Sequence, residues 1–195
     1  DATSTVNLGG SFTIAALGTL DNAAGGTLNL TGTLNNTGTT LNLTNATGSV
    51  ALLGGSILGG TVQQSGSNAL KFTGGGGLLD GVTVRGTLNV GDAANPYSSV
   101  LVRNGLTVRT EVGALPGVIN VGIDGPPGSS ASLNFAGTQA FNNATINLGN
   151  VELTDYTMYD ILPHSGDVGV NQVLSTSQRG TDWTPVLTGP VVLDP

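Results

Sequence analysis

Residues 54–62 read Gly-Gly-Ser-Ile-Leu-Gly-Gly-Thr-Val, and residues 76–84 read Gly-Gly-Leu-Leu-Asp-Gly-Val-Thr-Val. The two stretches are identical at five of nine positions when the first is aligned with the residues 22 positions later. A third copy, Asn-Gly-Leu-Thr-Val at residues 104–108, places Gly105 at a spacing of 24 from Gly81. Repeats of this length are typical of solenoids, in which each unit stacks on the next.

A shorter repeat lies upstream. Thr-Leu-Asn-Leu occurs at residues 27–30 and again at 40–43, and Thr-Leu-Asn-Asn lies between them at 33–36. The alternation of polar and apolar residues is typical of a strand with one buried face. The close succession of these units leaves no room for hairpin partners. Each unit therefore predicts one side of a coil.

Two further matches extend the pattern. Leu-Lys-Phe-Thr-Gly at residues 70–74 resembles Leu-Asn-Phe-Ala-Gly at 133–137, at a spacing of 63, which equals three periods of 21. Asn-Ala-Thr-Ile at 143–146 reads as a fourth copy of the unit at 104–108.

These spacings predict an all-β fold, a right-handed three-sided parallel β-helix (β-solenoid) with coils of about 20–24 residues. About nine coils would fit the chain at that period. The competing fold is an antiparallel sandwich or jelly roll, which has turn signals every ~8–12 residues but no repeat near 21.

The repeat fades toward the end of the chain. We predict solenoid coils over residues 1–150, interrupted by loops at 91–97 and 123–130, where Gly, Asn-Pro and Pro-Pro occur. Residues 151–195 contain four of the eight prolines and residue types that are rare before them. We interpret 151–195 as a C-terminal cap or as the start of a following module, because a solenoid end must be covered or continued.

Composition excludes several classes of partner and site. The chain has no cysteine, so disulfides and thiolate metal sites are excluded. A net charge of −7 disfavours nucleic acid, and Thr, Asn and Gly interrupt every apolar run, so we expect no membrane insertion. The basic residues look scattered and form no stripe in the sequence; they are Lys71, Arg85, Arg103, Arg109 and Arg179.

Acidic residues are the only reactive side chains in any number. Asp80, Asp92 and Asp124 are dispersed, whereas hydrolysis of glycosides needs two convergent carboxylates. We therefore predict no catalytic residues, no cofactor and no enzyme activity. Weak candidate metal ligands are Asp160, His164 and Asp167, which could hold calcium or zinc, although one histidine in such a loop is more typical of a solvated residue.

Five Asn-x-Thr glycosylation sequons occur, at Asn29, Asn35, Asn42, Asn45 and Asn143. In a repeat this rich in Asn and Thr, we interpret them first as ladder-forming residues and only second as glycosylation acceptors.

The Gly-Thr-Leu-Asn-Leu units, together with Leu-Asp-Gly-Val-Thr-Val at residues 79–84, resemble the β-strand repeats of very large bacterial surface proteins. These are filamentous-haemagglutinin-type adhesins and autotransporter passenger domains, and the resemblance covers about residues 20–150. It implies export to the bacterial cell surface or the extracellular space, and a role in adhesion or in a surface matrix. The chain departs from the Asn-Pro-Asn motif of secretion domains, since Asn95-Pro96 is followed by Tyr97.

The function that follows is a rigid β-helical stalk or adhesive segment of an exported surface protein. Its partners would be neighbouring repeats of a longer chain, surface glycans or matrix ligands. The alternative is a self-assembling subunit of an extracellular fibre or sheath, joined end to end through strand edges. A polysaccharide-active β-helix enzyme is the further alternative.

Overall fold

The computed structural model describes a β-solenoid of about five turns. It covers residues 2–22, 25–122, 131–136, 139–141, 144–148, 186–187 and 191–193, and for residues 139, 140, 148, 186–187 and 191–193 it gives the backbone alone. Within these residues, almost every regular element is a strand. The exception is a single helical turn, α1 (Ile14–Leu17), which Thr13 caps by accepting a hydrogen bond from the Ala16 N–H.

The strands are short and follow one another closely along the chain. In chain order they are β1 (Thr5–Leu8), β2 (Ser11–Thr13), β3 (Thr27–Leu30), β4 (Thr33–Asn35), β5 (Thr40–Leu43), β6 (Val50–Leu52), β7 (Ser56–Leu58), β8 (Thr61–Gln64), β9 (Leu70–Phe72), β10 (Leu78–Arg85), β11 (Leu88–Val90), β12 (Ser99–Arg109), β13 (Gly117–Val121), β14 (Ser132–Phe135), β15 (Gln139–Phe141), β16 (Ala144–Leu148), β17 (Val186–Leu187) and β18 (Val191–Leu193).

Strands one coil apart pair in parallel and form columns along the solenoid axis. The first column runs β1-β3-β6-β9, and the second runs β2-β4-β7, then the first parts of β10 and β12, then β14. The third runs β5-β8 and then the second parts of β10 and β12. Within the regular coils, paired residues lie 20 to 24 positions apart, for example Val50 and Leu70, or Leu106 and Val82. The predicted parallel fold and coil length are confirmed, while the handedness and the triangular cross-section stay predictions.

The repeat at residues 54–62 and 76–84 is a structural repeat. Ser56 pairs with Leu78 and Thr61 with Thr83, at the spacing of 22 that the sequence repeat predicts. The spacing of 24 to the third copy has a local cause: β12 contains a bulge after Arg103. Asn104 has a φ of 53° there, and its side chain donates a hydrogen bond of 2.6 Å to the Asp80 carboxylate on the preceding turn.

Two other sequence alignments are wrong. Residues 70–72 lie in the first column and residues 133–135 in the second, so their similarity does not reflect stacking. Residues 144–148 pair with 117–121, and not with the unit at 104–108. The described residues form about five turns, against about nine coils expected for all 195 residues, and the later described turns are longer: Leu88 of β11 pairs with Ile119 of β13, and Ser99 of β12 pairs with Ser132 of β14. A leucine-x-aromatic alternation suits every side of a coil, so it does not identify a particular side.

Part of the extra length comes from a loop at residues 91–98, which confirms the first predicted loop. The second, at 123–130, lies outside the described residues. At the far end, β17 pairs antiparallel with β16, and β18 pairs antiparallel with β15. The division at residue 150 and the assignment of a cap stay predictions.

One aliphatic core runs along the inside of the columns. It contains a leucine, isoleucine or valine from almost every strand, and phenylalanine where space allows. Leu52, Ile57, Val62 and Val84 are completely buried. A coil only a few residues wide on each side cannot accommodate many rings, which explains the low aromatic content.

Buried polar side chains join successive turns where strands end. Asn36 donates to the Thr61 carbonyl, and Gln64 donates to the Thr87 carbonyl while its Oε1 accepts from the Leu70 N–H. The hydroxyl of Ser98 donates to the Phe72 carbonyl. The three side chains thereby satisfy main-chain groups that the strand ladders leave unpaired at the corners.

Asparagines stack on the outer faces of two sheets, the first column and a separate sheet in which β11, β13 and β16 pair in parallel. Asn29 donates to the side-chain oxygen of Asn7 (2.9 Å), Asn120 donates to Asn89 (2.8 Å), and Asn147 donates to Asn120 (2.8 Å). We call these contacts the asparagine ladder. It confirms the ladder interpretation for the sequon at Asn29, and the Asn45 side chain likewise accepts a hydrogen bond from Asn68 one turn later.

We expect Asn120→Ala to lower the free energy of unfolding by about 1 kcal/mol, because Asn120 both donates and accepts in the ladder. The measurement is urea denaturation followed by circular dichroism. Asn42→Ala is the matched control, since Asn42 is exposed and forms no side-chain hydrogen bond within the described residues. Equal destabilisation by both substitutions would show that the ladder contributes nothing.

Candidate functional site

The outer face of the third column carries two parallel rows of polar side chains. Burial alternates along each of its strands, so that Leu41, Val62, Val84 and Val108 point into the core and their neighbours point outward. The first row is the threonine row, which comprises Thr40, Thr61, Thr83 and Thr107. The second is the amide–guanidinium row, which comprises Asn42, Gln63, Arg85 and Arg109. Together we call them the polar face.

In-register pairing fixes the spacing of these side chains. Adjacent parallel strands lie ~4.8 Å apart, so each row of four extends over roughly 14 Å along the axis. Within the described residues, no hydrogen bond engages the four threonine hydroxyls. Each hydroxyl is both a donor and an acceptor, so the row offers a regular series of hydrogen-bonding groups.

Two arginines are stacked at one end of the polar face. Arg85 and Arg109 are direct register partners on β10 and β12, Arg85 being exposed and Arg109 half-buried. Like charges placed opposite each other on adjacent strands repel, so this pairing costs stability rather than adding to it. An acidic chain with only five basic residues nevertheless places two of them side by side.

The β12–β13 loop, residues 110–116, folds back over this end of the polar face. Its own main chain closes it, since Thr110 N–H donates to the Ala114 carbonyl and Gly113 N–H donates to the Thr110 carbonyl. The Arg109 Nη1 donates to the Gly113 carbonyl (3.1 Å), and Gln63 Nε2 donates to the Glu111 carbonyl (3.3 Å). The loop thereby restricts the rotamers of the Arg109 guanidinium and the Gln63 amide.

Arg85 lies beside the same loop. A methyl group added at Gly113 would be 3.6 Å from the Arg85 Cζ, so the guanidinium and the loop backbone are neighbours. At the tip, Val112 is 89% exposed and Leu115 is 49% exposed. The loop therefore presents two apolar side chains to solvent close to a pair of positive charges.

This geometry suits recognition of an extended, hydroxyl-rich ligand with spaced negative charges. A guanidinium has five N–H donors, and the bond from Arg109 to Gly113 uses one of them. Arginine binds carboxylates through two parallel hydrogen bonds, and the threonine and amide groups can exchange hydrogen bonds with hydroxyls.

No protein family, curated protein or solved structure shows a significant match to the chain. The resemblance to surface-protein repeats therefore rests on the fold, a β-solenoid, and on the repeat units themselves.

The acidic residues singled out in the sequence serve local structure where they are described. The Asp80 carboxylate accepts a hydrogen bond from Asn104. Asp92 Oδ1 accepts from the backbone N–H groups of Ala94 and Asn95, which shapes the loop at 91–98. Asp124 lies outside the described residues, and so do Asp160, His164, Asp167 and the sequon at Asn143.

In the part of the chain that the structure describes, no group of three or more histidine and acidic residues comes together in a way that would hold a metal ion. Among those same residues, no helix has the length and hydropathy needed to cross a bilayer.

The description of the basic residues as scattered is wrong for Arg85 and Arg109. A signal for their stacking is present in the sequence: Val-Thr-Val-Arg at residues 82–85 and Leu-Thr-Val-Arg at 106–109 both follow the repeat glycine. When the third repeat is extended by one residue, each arginine follows the equivalent valine of its repeat. Both arginines are therefore expected at the same position on the outer face. The folded loop over them carries no such repeat signal.

Proposed function

We propose that this chain is a rigid structural or adhesive module of an exported bacterial surface protein. The observation that carries the proposal is the polar face, a regular, solvent-facing array mounted on about five parallel-stacked turns. Stacked coils hold their outer side chains at fixed spacing, which suits contact with a repetitive surface. Neighbouring repeats of a longer chain, surface glycans and matrix ligands are the proposed partners.

We also propose that the module has no catalytic role and no resident cofactor. In support, two of the described aspartates, Asp80 and Asp92, are both engaged by neighbouring amide groups. A general acid or base must reach the proton that it transfers, and these carboxylates instead hold parts of their own chain in place.

Localisation is tested by antibodies raised against the purified chain. On intact cells of the source organism, we expect surface labelling without permeabilisation. Labelling that appears only after permeabilisation would contradict export. The matched control is an antibody against a cytoplasmic protein of the same cells.

The alternative is a self-assembling subunit, and one observation favours it. Among the described residues, β1 pairs only with β3 and β2 only with β4. Leu8 of β1 and Phe12 of β2 pack against the core but are only partly buried. An open edge with uncharged strands is a template for pairing with another chain.

Negative-stain electron microscopy distinguishes the two proposals. We expect isolated short rods at neutral pH, with and without calcium, if the chain is a stalk or adhesive segment. Filaments of constant width that lengthen with protein concentration would instead support end-to-end assembly. Round particles without a long axis would contradict both.

A further inference from the structure

We propose that the polar face binds a carboxylated polysaccharide, a polymer of uronic-acid type, with Arg85 and Arg109 pairing with successive carboxylates. This inference rests on the proposed adhesive function and names the ligand class of its site. It starts from the register pairing of the two arginines, which repels in the free protein and is relieved by an anionic ligand.

The rest of the face selects the kind of anion. Thr83 and Thr107 hydroxyls lie next to the arginines, and Gln63 and Asn42 continue the same row without charge. A polyanion with several charges on each unit would meet only two cations on a protein of net charge −7. A sugar polymer with carboxylates set among hydroxyls matches a face with two cations set among hydroxyls and amides.

The β12–β13 loop defines the arginine end of the site. It fixes Arg109 through the Gly113 carbonyl, so less side-chain entropy is lost when a ligand binds. Its exposed Val112 offers a contact for the apolar C–H surface of a sugar ring. Glu111 is the one acidic residue in the loop, and it engages Gln63 through its main-chain carbonyl.

The test is isothermal titration of the full chain with a short oligogalacturonate at low salt. We expect binding that weakens as salt is raised and that is lost when the carboxylates are methyl-esterified. The Arg85→Gln/Arg109→Gln double variant is expected to bind at least about tenfold more weakly, since each arginine–carboxylate pair is a charged hydrogen bond.

The matched control is Arg103→Gln. Arg103 is exposed and lies on β12 as well, but before the bulge and in the second column, opposite Asp80. Its substitution removes one positive charge, against two in the double variant, from a different face, and we expect less than about a twofold change in affinity. Thr83→Val/Thr107→Val, which keeps the side-chain shape and all charges, is expected to weaken binding about threefold or more.

Several results would overturn the inference: equal binding of the methyl ester, equal weakening by Arg103→Gln, no heat with any oligosaccharide, or binding of a sulfated oligosaccharide alone. Circular dichroism of each variant verifies that the fold is retained. Rods in the microscope without oligogalacturonate binding would refute this inference and leave the structural role intact. Absence of surface labelling would refute the proposed function whatever the titration shows.

Discussion

Gly55→Ala is expected to lower the free energy of unfolding by about 3 kcal/mol or more. A methyl group at this buried position would overlap the Leu30 carbonyl oxygen of the preceding turn. That oxygen belongs to the backbone and accepts a hydrogen bond from the Leu53 N–H, so it cannot move without opening the stack. The added methyl group therefore separates two turns that otherwise pair in register.

Gly74→Ala is the control, because its methyl group would lie no closer than 3.5 Å to any neighbour, the Tyr97 carbonyl oxygen. We expect that variant to be neutral or stabilised by up to about 1 kcal/mol, since alanine reduces the entropy of the unfolded chain. Guanidinium denaturation followed by circular dichroism measures both. A Gly55→Ala variant as stable as Gly74→Ala would mean that the turns are not held at the spacing described.

Gln64→Leu is expected to lower the free energy of unfolding by about 2–5 kcal/mol. The Gln64 side chain is only 5% exposed and holds two main-chain groups, the Leu70 N–H and the Thr87 carbonyl, each at 2.9 Å. Leucine keeps much of the volume but leaves both groups without this partner, the Thr87 carbonyl part-buried and the Leu70 N–H buried. An unsatisfied buried donor or acceptor costs about 1–3 kcal/mol.

Gln63→Leu is the matched control, one position along the same strand and half-exposed on the outer face. We expect it to change stability by less than about 1 kcal/mol, because water can replace its two hydrogen bonds. Hydrogen exchange provides a second readout: the Leu70 amide should exchange faster in Gln64→Leu and at the wild-type rate in Gln63→Leu. Unchanged protection of Leu70 would contradict the proposed role of Gln64.

The sequence predicts the fold because each turn repeats the same pattern of buried, outward-facing and glycine positions. Glycines at close approaches, a buried valine and an outward threonine recur at 61–62 and 83–84, and the structure places those copies side by side. Prediction fails where the period changes. The bulge at Asn104 and the loops at 91–98 and 110–116 add residues without altering the stacking, so counting residues overestimates the number of turns among the described residues.

The candidate site is less accessible to sequence reasoning. Arg85 and Arg109 are 24 residues apart in the sequence, and the register of β10 and β12 makes them neighbours. The contacts from Gly113 to Arg109 and from Glu111 to Gln63 depend on how one loop folds, and no repeat encodes it. The role of Gln64 is also hidden in the sequence. Its polar side chain breaks the alternation expected for a strand, and its function becomes clear only when the structure shows its hydrogen bond to the Leu70 N–H across the corner.

The asparagine ladder contributes side-chain dipoles that are aligned along the solenoid axis. In all three contacts the amide of the later turn donates to the carbonyl of the earlier one, so every amide dipole points the same way along the axis. Aligned dipoles add, as they do in a helix, with partial positive charge toward the first turn and partial negative charge toward the last. Two copies lying side by side would therefore attract one another when antiparallel and repel when parallel, so these dipoles favour one relative orientation wherever two copies pack together.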